Sequence, residues 1–386
     1  MGQTACCESS GNKKALLNEQ NNNTDMVTPI IYQNNNQINQ FNNLNNSNLK
    51  LSQNAVENGI TSLNNNESMN TNQNLFSSVS NNGIPQITSS FNNKVNFKDS
   101  NSPFTCVKTF EAHEDKIVSL IELSNRNIAT GSYDGTIKIW DINSQRCVKT
   151  IQETGNVLCL LEFQPNILLS GTDENTIQLW NLDNPNQCLY SFEGHLLWVN
   201  CLVKCNDSFF ASGSNDSDIR IWNWANKDCE NVLKGHTNCV LTLIPLLDGN
   251  LCSGSADLSI KIWDWKNGNC IKNLIGHKKW VKCLYQLSNG YIISGSDDKT
   301  IKIWNNNELI HELTGHAKSI RSFCQVNNNL FASASFDKTI KIWDFNNMSL
   351  FQTLSGHLSN VICIMLHSSG YLISCSTDHT IKIWNN

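Results

Sequence analysis

Short runs in which apolar and polar residues alternate recur along the chain from about residue 104 to its end. Four runs make one unit, and in the third unit they are Trp198–Lys204, Phe209–Ser214, Asp218–Trp224 and Cys229–Leu233. The runs are rich in β-branched and aromatic residues and are bounded by Gly, Asn, Asp and Ser, which is typical of strands separated by turns. The pattern predicts an all-β body built from four-stranded units.

One tryptophan marks each unit near the end of its third run. Successive tryptophans are 40, 42, 41, 41, 39 and 41 residues apart, and they are Trp140, Trp180, Trp222, Trp263, Trp304, Trp343 and Trp384. A period of this length indicates repeated supersecondary units that bury their apolar faces only by stacking on one another. We therefore expect seven four-stranded antiparallel sheets.

Three further positions keep a fixed distance from the tryptophan in six units. A histidine lies 27 residues before it, a serine or threonine 10 residues before it, and an aspartate 6 residues before it. Because the links between units vary in length while these distances do not, we expect the four side chains of a unit to meet in space. The sets are His113, Thr130, Asp134, Trp140; His195, Ser212, Asp216, Trp222; His236, Ser253, Asp257, Trp263; His277, Ser294, Asp298, Trp304; His316, Ser333, Asp337, Trp343; and His357, Ser374, Asp378, Trp384.

The repeated phrase Gly-His … Ser-Gly-Ser-x-Asp-x-Thr-Ile-Lys-Ile-Trp-Asp resembles the WD-repeat (G-protein β-like) family over residues 105–386. The resemblance implies a seven-bladed β-propeller in which each set of four side chains forms a buried, hydrogen-bonded tetrad. It also implies that each unit supplies the outer strand of one blade and the inner three of the next. Since the last unit stops after its third strand, we expect Thr105–Phe110 to supply the missing outer strand and close the ring.

The second unit departs from the pattern. Ser170 and Trp180 are in place, but Glu174 occupies the aspartate position, and Thr154 and Gly155 stand where Gly-His is expected. We expect the second blade to lack the full network. It would then be either a weak point or a place where a partner supplies the missing rigidity.

The resemblance places the docking surface on the face that carries the loop after each histidine and the turn before each aspartate. Large aromatic and cationic side chains occupy several of these positions, and aromatic residues and arginine are enriched at interface hot spots. The candidate partner-binding residues are Lys116, Tyr133, Trp198, Lys278, Trp280, Arg321 and Phe336. Asn200, Lys282 and Arg321 share one strand position and are expected to face the central channel. For Trp198 and Trp280 the alternative is packing at the start of the inner strand, whereas Trp224 and Trp265 are expected in the core.

Residues 1–103 differ sharply in composition from residues 104–386, the predicted propeller. They are dominated by Asn, Gln and Ser and have too few apolar residues to bury a core, so we expect a disordered low-complexity tail. The net charge of −5 shows no basic excess that would indicate nucleic-acid binding. With 16 cysteines, no signal peptide and no C-x-x-C pair, we expect buried thiols in a reducing compartment and no metal site.

The first seven residues resemble an N-myristoylation sequence. Removal of Met1 would expose Gly2, although Cys6 stands where Ser or Thr is preferred. Palmitoylation of Cys6 and Cys7 would add a second membrane signal, and two signals hold a protein at a membrane stably where one does so only marginally. The alternative is an unmodified tail with two ordinary thiols.

The repeated Ser, His and Asp do not indicate a hydrolase, because six copies of one active site are implausible and no G-x-S-x-G turn is present. We expect no cofactor, and we expect His311, His367 and His379 at the surface or in loops. The leading hypothesis is a non-catalytic, monomeric scaffold that binds proteins or peptides in the cytoplasm, or at the cytoplasmic face of a membrane. Alternatives are a substrate-recognition subunit of a ubiquitin ligase and a histone or chromatin-peptide reader.

Overall fold

Seven four-stranded antiparallel sheets form a ring in the computed structural model, which describes residues 102–386. The predicted all-β, seven-bladed propeller is confirmed. The predictions for the Asn-rich tail up to residue 101, and for Gly2, Cys6 and Cys7, lie outside the described residues. Across residues 102–386 there is no helix of the length and apolar character needed to cross a membrane.

The blades are numbered in chain order, and their strands are given from the channel outward. Blade 1 contains β2 (Ile117–Glu122), β3 (Ile128–Ser132), β4 (Thr136–Asp141) and β5 (Arg146–Gln152). Blade 2 contains β6 (Val157–Gln164), β7 (Ile167–Thr172), β8 (Ile177–Asn181) and β9 (Cys188–Phe192). Blade 3 contains β10 (Val199–Lys204), β11 (Phe209–Ser214), β12 (Ile219–Asn223) and β13 (Cys229–Leu233).

Blade 4 contains β14 (Val240–Pro245), β15 (Leu251–Ser255), β16 (Ser259–Asp264) and β17 (Asn269–Ile275). Blade 5 contains β18 (Val281–Gln286), β19 (Ile292–Ser296), β20 (Ile301–Asn305) and β21 (Glu308–Leu313). Blade 6 contains β22 (Ile320–Gln325), β23 (Leu330–Ser335), β24 (Thr339–Asp344) and β25 (Ser349–Ser355). Blade 7 contains β26 (Val361–Leu366), β27 (Leu372–Ser376), β28 (Thr380–Asn385) and β1 (Thr105–Glu111).

The first strand of each blade contacts the first strands of both neighbouring blades and surrounds the central channel. In blade 1 every residue of β2 is buried, whereas most of the outer strand β5 is exposed. This gradient explains the sequence pattern, because strands buried on both faces read as continuous apolar runs, and only the strands farther out alternate.

The ring closes where the chain enters it. β1 pairs antiparallel with β28, with Thr105 opposite Asn385 and Glu111 opposite Thr380, so the predicted closing strand is confirmed. The entry is fixed by Gln352 of blade 6, whose side-chain amide accepts from the Phe104 N–H and donates to the Phe104 carbonyl, both at 2.9 Å. Blade 7 is thus held by its own pairing and by the outer strand of its neighbour.

Adjacent blades approach closely at the glycine of the Ser-Gly-Ser phrase. A Cβ placed on Gly213 would lie 2.7 Å from the Cys201 sulfur and 2.7 Å from Val240 of the next blade. A side chain there would push blades 3 and 4 apart. The equivalent glycines Gly131, Gly171, Gly254 and Gly295 face the next blade in the same way.

At the end of the ring opposite the repeat histidines, side chains cap backbone N–H groups of the preceding blade. Each capping residue lies at or near the end of a first strand. The four bonds found in residues 102–386 join Ser124 N to Glu162 (2.6 Å), Leu247 N to Gln286 (2.8 Å), Ser288 N to Gln325 (2.8 Å) and Ser368 N to Glu122 (3.0 Å). At the remaining junctions the equivalent positions hold Lys204, Pro245 and Leu366, whose side chains cannot accept a hydrogen bond.

The cysteines divide according to their strand. All fourteen in residues 102–386 are free thiols. Those on inner strands, such as Cys159 and Cys283, are buried as predicted, but Cys106, Cys147 and Cys270 are exposed. The prediction of burial is wrong for these three, because each lies near the start of an outer strand on the circumference of the ring.

His367 lies in the loop between β26 and β27, as the prediction of a surface or loop position allowed, but it is not exposed. The imidazole is buried, with Nδ1 2.6 Å from the Ser369 hydroxyl and Nε2 3.0 Å from the Arg126 carbonyl of blade 1. Its position between blades 7 and 1 makes it part of the ring closure. Trp265 lies in the core as predicted, whereas Trp224 is only partly buried.

Candidate functional site

In six blades the four repeat side chains form one chain of hydrogen bonds. In blade 5 the Trp304 indole donates to the Ser294 hydroxyl at 2.8 Å, and His277 lies 2.7 Å from Ser294 through Nε2 and 2.9 Å from Asp298 through Nδ1. Because a carboxylate only accepts, Nδ1–H donates to it and Nε2 accepts from the hydroxyl. In the other five blades the same three distances lie between 2.7 and 2.9 Å.

The aspartate links this buried chain to the surface. One oxygen of Asp298 accepts from the Lys278 N–H at 2.9 Å, and the other accepts from the Thr300 N–H at 3.0 Å and from its hydroxyl at 2.6 Å. The loop after the histidine and the turn after β19 are therefore held by one carboxylate. The tetrad thus gives each of these six blades a rigid pair of loops at one end of the ring, which we call the histidine face.

The charge state of the pair follows from its surroundings. Desolvation raises the pKa of the Asp216 carboxyl, but hydrogen bonding and the charge of His195 outweigh it, and the pKa falls to about 2. Burial lowers the pKa of the His316 imidazole, although Asp337 opposes the shift. At neutral pH the blade 6 tetrad is therefore a neutral imidazole bound to a carboxylate, since desolvation of Asp337 is outweighed by the His316 bond, which holds the pKa of Asp337 well below its usual range.

Blade 2 has a different network from the one its sequence suggested. Glu153, not Thr154 or Gly155, occupies the histidine position, and its Oε1 accepts from the Ser170 hydroxyl and lies 3.0 Å from the Trp180 indole nitrogen. Trp180 also donates to Ser170 at 2.9 Å. The placement of Thr154-Gly155 at the Gly-His position is therefore wrong, while Glu174 is exposed at the surface. Burial raises the pKa of the Glu153 carboxyl, although bonds from Ser170 and Trp180 oppose it.

The candidate partner-binding residues divide into a surface group and a recessed group. Lys278 is exposed, and the side chains of Lys116, Tyr133, Trp198 and Trp280 are partly exposed. Trp198 follows two strongly exposed leucines in blade 3, of which Leu196 is 76% and Leu197 is 49% exposed.

The recessed group consists of Arg321 and Phe336, which are 0% and 7% exposed and lie behind the surface of the histidine face. Arg321 stacks on Phe336, with 4.8 Å between the guanidinium carbon and the ring centre. Lys116 lies 3.7 Å from the centre of the Tyr133 ring in a similar arrangement. These cation–π contacts fix the long side chains in one place.

Lys282 joins this recessed group, together with the aspartate beside it. It is 3% exposed, with its Nζ 4.4 Å from the Trp280 ring centre and 3.6 Å from Asp297 Oδ2. Burial and the neighbouring Arg321 lower the pKa of Lys282 to about 7, although Asp297 opposes the shift. Sequence reasoning had placed Lys282 in the channel but had not joined it to Asp297, because their proximity depends on the pairing of β18 with β19.

No group of three or more His, Cys, Asp or Glu side chains in the described part of the chain is placed to hold a metal ion. The histidine face instead carries aromatic and charged side chains on loops that the tetrads hold rigid. Its chemistry is that of recognition through aromatic and cationic side chains.

Comparison with known proteins agrees with this geometry. The chain matches the family described as WD domain, G-beta repeat over residues 104–141, 186–223, 227–264, 268–305, 307–344 and 348–385. The matched segments omit residues 142–185, which include most of blade 2, where Glu153 replaces the histidine.

Three relatives share parts of the repeat region. An uncharacterized WD repeat-containing protein of Schizosaccharomyces pombe is 32% identical over 111 residues, 28% of each chain. Mitochondrial division protein 1 of the same yeast is 34% identical over 80 residues, 20% of this chain and 12% of its own. Myosin heavy chain kinase C of Dictyostelium discoideum is 31% identical over 91 residues, 23% of this chain and 11% of its own.

The chain therefore spans less than a third of the length of each of these relatives. The six family segments span more than half of the sequence, and the ring, the tetrads and the closing strand agree with them. The chain belongs to the WD-repeat family of β-propeller proteins.

Proposed function

We propose that the protein is a non-catalytic scaffold that assembles protein partners on the histidine face of its propeller. A WD-repeat propeller is in general a protein-interaction domain. The observation that carries the proposal here is the exposed apolar group of blade 3, formed by Leu196, Leu197 and Trp198 on loops that a tetrad holds rigid. Apolar and aromatic side chains held in place bind a partner at little cost in conformational entropy.

Affinity capture with mass spectrometry tests this proposal. The double variant Trp198→Ala/Trp280→Ala is compared with wild type at matched expression and melting temperature. The control is Leu309→Ala/Ile310→Ala, which removes two exposed apolar side chains from the circumference of blade 5. Loss of a defined set of proteins with the first variant alone supports docking on the histidine face, and an unchanged set contradicts it.

The proteins lost in this experiment also separate two narrower roles. Ubiquitin-ligase subunits among them would indicate substrate recognition for degradation, and histones would indicate chromatin reading. Neither role has an observation of its own in residues 102–386, so the scaffold remains the proposed function.

Membrane attachment through the N-terminus is a separate part of the proposal. It rests on Gly2, Cys6 and Cys7, whose pattern resembles an N-myristoylation sequence followed by two cysteines that could be palmitoylated, although Cys6 stands where Ser or Thr is preferred. Fractionation of cells that express wild type, Gly2→Ala or Cys6→Ser/Cys7→Ser tests it. We expect wild type in the membrane fraction and both variants in the soluble fraction. A fully soluble wild type would contradict attachment and leave the scaffold proposal intact.

A further inference from the structure

Two cysteines of blade 7 lie directly opposite each other on neighbouring strands. Cys363 on β26 is the register partner of Cys375 on β27, and a hydrogen bond links the two thiols. Residues directly opposed in an antiparallel sheet have Cα atoms about 4.5–5.5 Å apart. That separation lies within the range of about 4.4–6.8 Å that a disulfide spans. The backbone of blade 7 can therefore accommodate a bond between these two sulfur atoms.

The other six blades lack this pair, because the position of Cys375 holds a smaller residue in each of them. The equivalent residues are Gly131, Gly171, Gly213, Gly254, Gly295 and Ala334. In blades 2, 3 and 5 a cysteine does lie opposite the glycine, and a Cβ built on the glycine would be 2.5 Å, 2.7 Å and 2.6 Å from its sulfur: Cys159, Cys201 and Cys283. A side chain at this position thus lies against the facing sulfur, and among the seven described blades only blade 7 has a second sulfur there.

Both thiols also contact blade 1 across the junction that we call the closing seam. Cys363 Sγ donates to the Val118 carbonyl at 3.3 Å, and Cys375 Sγ lies 3.9 Å from the Ile117 carbonyl, both on β2. Blade 7 is the blade whose strands come from both ends of the described chain, and β1 is held to β28 by strand pairing alone. The two thiols therefore lie where the ring closes.

The closed ring protects the pair from oxidants. Cys363 and Cys375 are 1% and 0% exposed, and burial together with the Cys375 thiol raises the pKa of the Cys363 thiol well above its ordinary value. A buried, protonated thiol is a poor nucleophile. Separation of β1 from β28 frees blade 7 from blade 1 and uncovers the side of β26 and β27 that carries both sulfurs. Local openings of this kind need less free energy than global unfolding.

We propose that Cys363 and Cys375 are a modification site, at which a peroxide converts the two thiols into a reversible disulfide when the ring opens at the closing seam. One thiolate attacks hydrogen peroxide, which gives a sulfenic acid and one water. The second thiol attacks the sulfenic sulfur, the S–S bond forms, and the second water leaves. Two thiols thus lose two electrons and hydrogen peroxide gains them. Exchange with a small thiol reverses the change.

Oxidation also changes the closing seam. The disulfide has no S–H group, so the Val118 and Ile117 carbonyls of blade 1 lose their donors from blade 7. The oxidised ring should therefore open more readily than the reduced ring. This inference is independent of the partner proposed for the histidine face, since it concerns the junction between blades 7 and 1.

Peptide mapping of the full chain tests the proposal. The protein is treated with hydrogen peroxide, its remaining thiols are blocked with N-ethylmaleimide in denaturant, and it is digested with trypsin. Cleavage after Lys341 and Lys382 leaves both cysteines in one peptide, residues 342–382, with no other cysteine. We expect this peptide to be lighter by two hydrogen atoms, to carry no maleimide, and to revert with dithiothreitol. Cys283, a buried thiol opposite Gly295, is the control and should carry maleimide.

Two matched variants test the route through ring opening. Gln352→Ala removes the two bonds that fix Phe104 before β1, so it should speed disulfide formation severalfold. Gln325→Ala removes a cap between blades 5 and 6 and should not change the rate. In hydrogen exchange, the amides of β1 and β28 should exchange severalfold faster in oxidised than in reduced wild type. Cys375→Ala, which has the residue found in blade 6, should show no response to peroxide.

Three results would overturn the proposal or one of its parts. If both cysteines carry maleimide after treatment of the folded chain, while the same chain in urea forms the bond, the modification site is wrong. Equal rates of disulfide formation in wild type and Gln352→Ala would overturn the route through ring opening. Equal exchange of β1 and β28 in oxidised and reduced protein would overturn the effect on the closing seam.

Discussion

His277→Ala tests whether the tetrads hold the propeller together. The substitution removes the central member of the blade 5 network, which bonds to Ser294 on one side and Asp298 on the other. His311→Ala is a matched control, because this histidine belongs to the same blade and is exposed on the outer strand β21. Both variants lose one imidazole, but only His277→Ala breaks the hydrogen-bonded tetrad of blade 5.

The magnitude follows from the bonds that are lost. The Ser294 hydroxyl keeps the Trp304 indole but loses its short bond to His277 and retains only the Lys302 carbonyl, at 3.5 Å, as an acceptor. Asp298 keeps the Lys278 and Thr300 N–H groups but loses the imidazole. A lost neutral hydrogen bond costs about 1 kcal/mol, and one to a charged group costs about 1.5–3 kcal/mol. Because Asp298 lies near the surface and can recruit water, we expect a total of about 2–3 kcal/mol.

Thermal and urea unfolding measure this cost. For a body of this size about 2–3 kcal/mol lowers the melting temperature by roughly 5–10 °C, whereas His311→Ala should change it by about 1 °C or less. The double variant His277→Ala/Asp298→Ala should lose less than the sum of the two single variants, because both belong to one network. A melting temperature equal to that of His311→Ala, or full additivity, would refute the tetrad as a stabilising unit.

Three other substitutions probe the remaining features. Glu153→Gln should stabilise the protein by about 1 kcal/mol at pH 8 and little at pH 4. Burial raises the pKa of the Glu153 carboxyl, so its ionised form, which dominates at pH 8, is the unfavourable one in the folded protein. Equal gains in the free energy of unfolding by urea at both pH values would contradict this. The change in unfolding free energy that Lys282→Met causes should be more favourable at pH 6 than at pH 9, since the unfolded lysine binds its proton more tightly than the buried one. Gln325→Ala should cost about 1 kcal/mol by uncapping the Ser288 N–H, and faster hydrogen exchange at Ser288 alone would report that loss.

The fold could be predicted because the same pattern of strands and turns, marked by one tryptophan, occurs seven times in the sequence. Fixed distances between His113, Thr130, Asp134 and Trp140 recur in five other units, and strands with that spacing place these side chains together only in a four-stranded blade. The closing strand followed from counting strands in the last unit. These features depend on the local residue pattern and on the number of strands needed to close the ring, and both can be read from the sequence.

The second blade could not be predicted correctly from the same pattern. The link from Trp140 to Glu153 is 13 residues, one shorter than the usual 14, so an alignment that favours Gly-His places the wrong residue opposite Ser170. The spacing of 27 residues to Trp180 does identify Glu153. Asp173 takes over part of the aspartate role, since it accepts from the Asn156 N–H at 2.8 Å and from its side-chain amide at 2.7 Å.

The hydrogen bonds between neighbouring blades also could not be predicted from the sequence. The bond from the Ser124 N–H to Glu162 joins residues 38 apart, and that from Ser368 to Glu122 joins residues 246 apart. No repeat pattern marks these pairs, because the capping position holds Glu or Gln in some blades and Lys, Pro or Leu in others. Such contacts depend on which blades become neighbours when the ring closes.

The chain enters the ring at one of its two ends. β1 begins at Thr105 opposite Asn385, at the end of the ring that carries the caps between blades, and it runs toward the histidine face. Phe104 is buried there and fixed by Gln352. The chain therefore enters the propeller at the end opposite the histidine face. The point where the chain enters the ring therefore lies away from the surface proposed for partner binding, and a partner on the histidine face does not need to displace the start of β1.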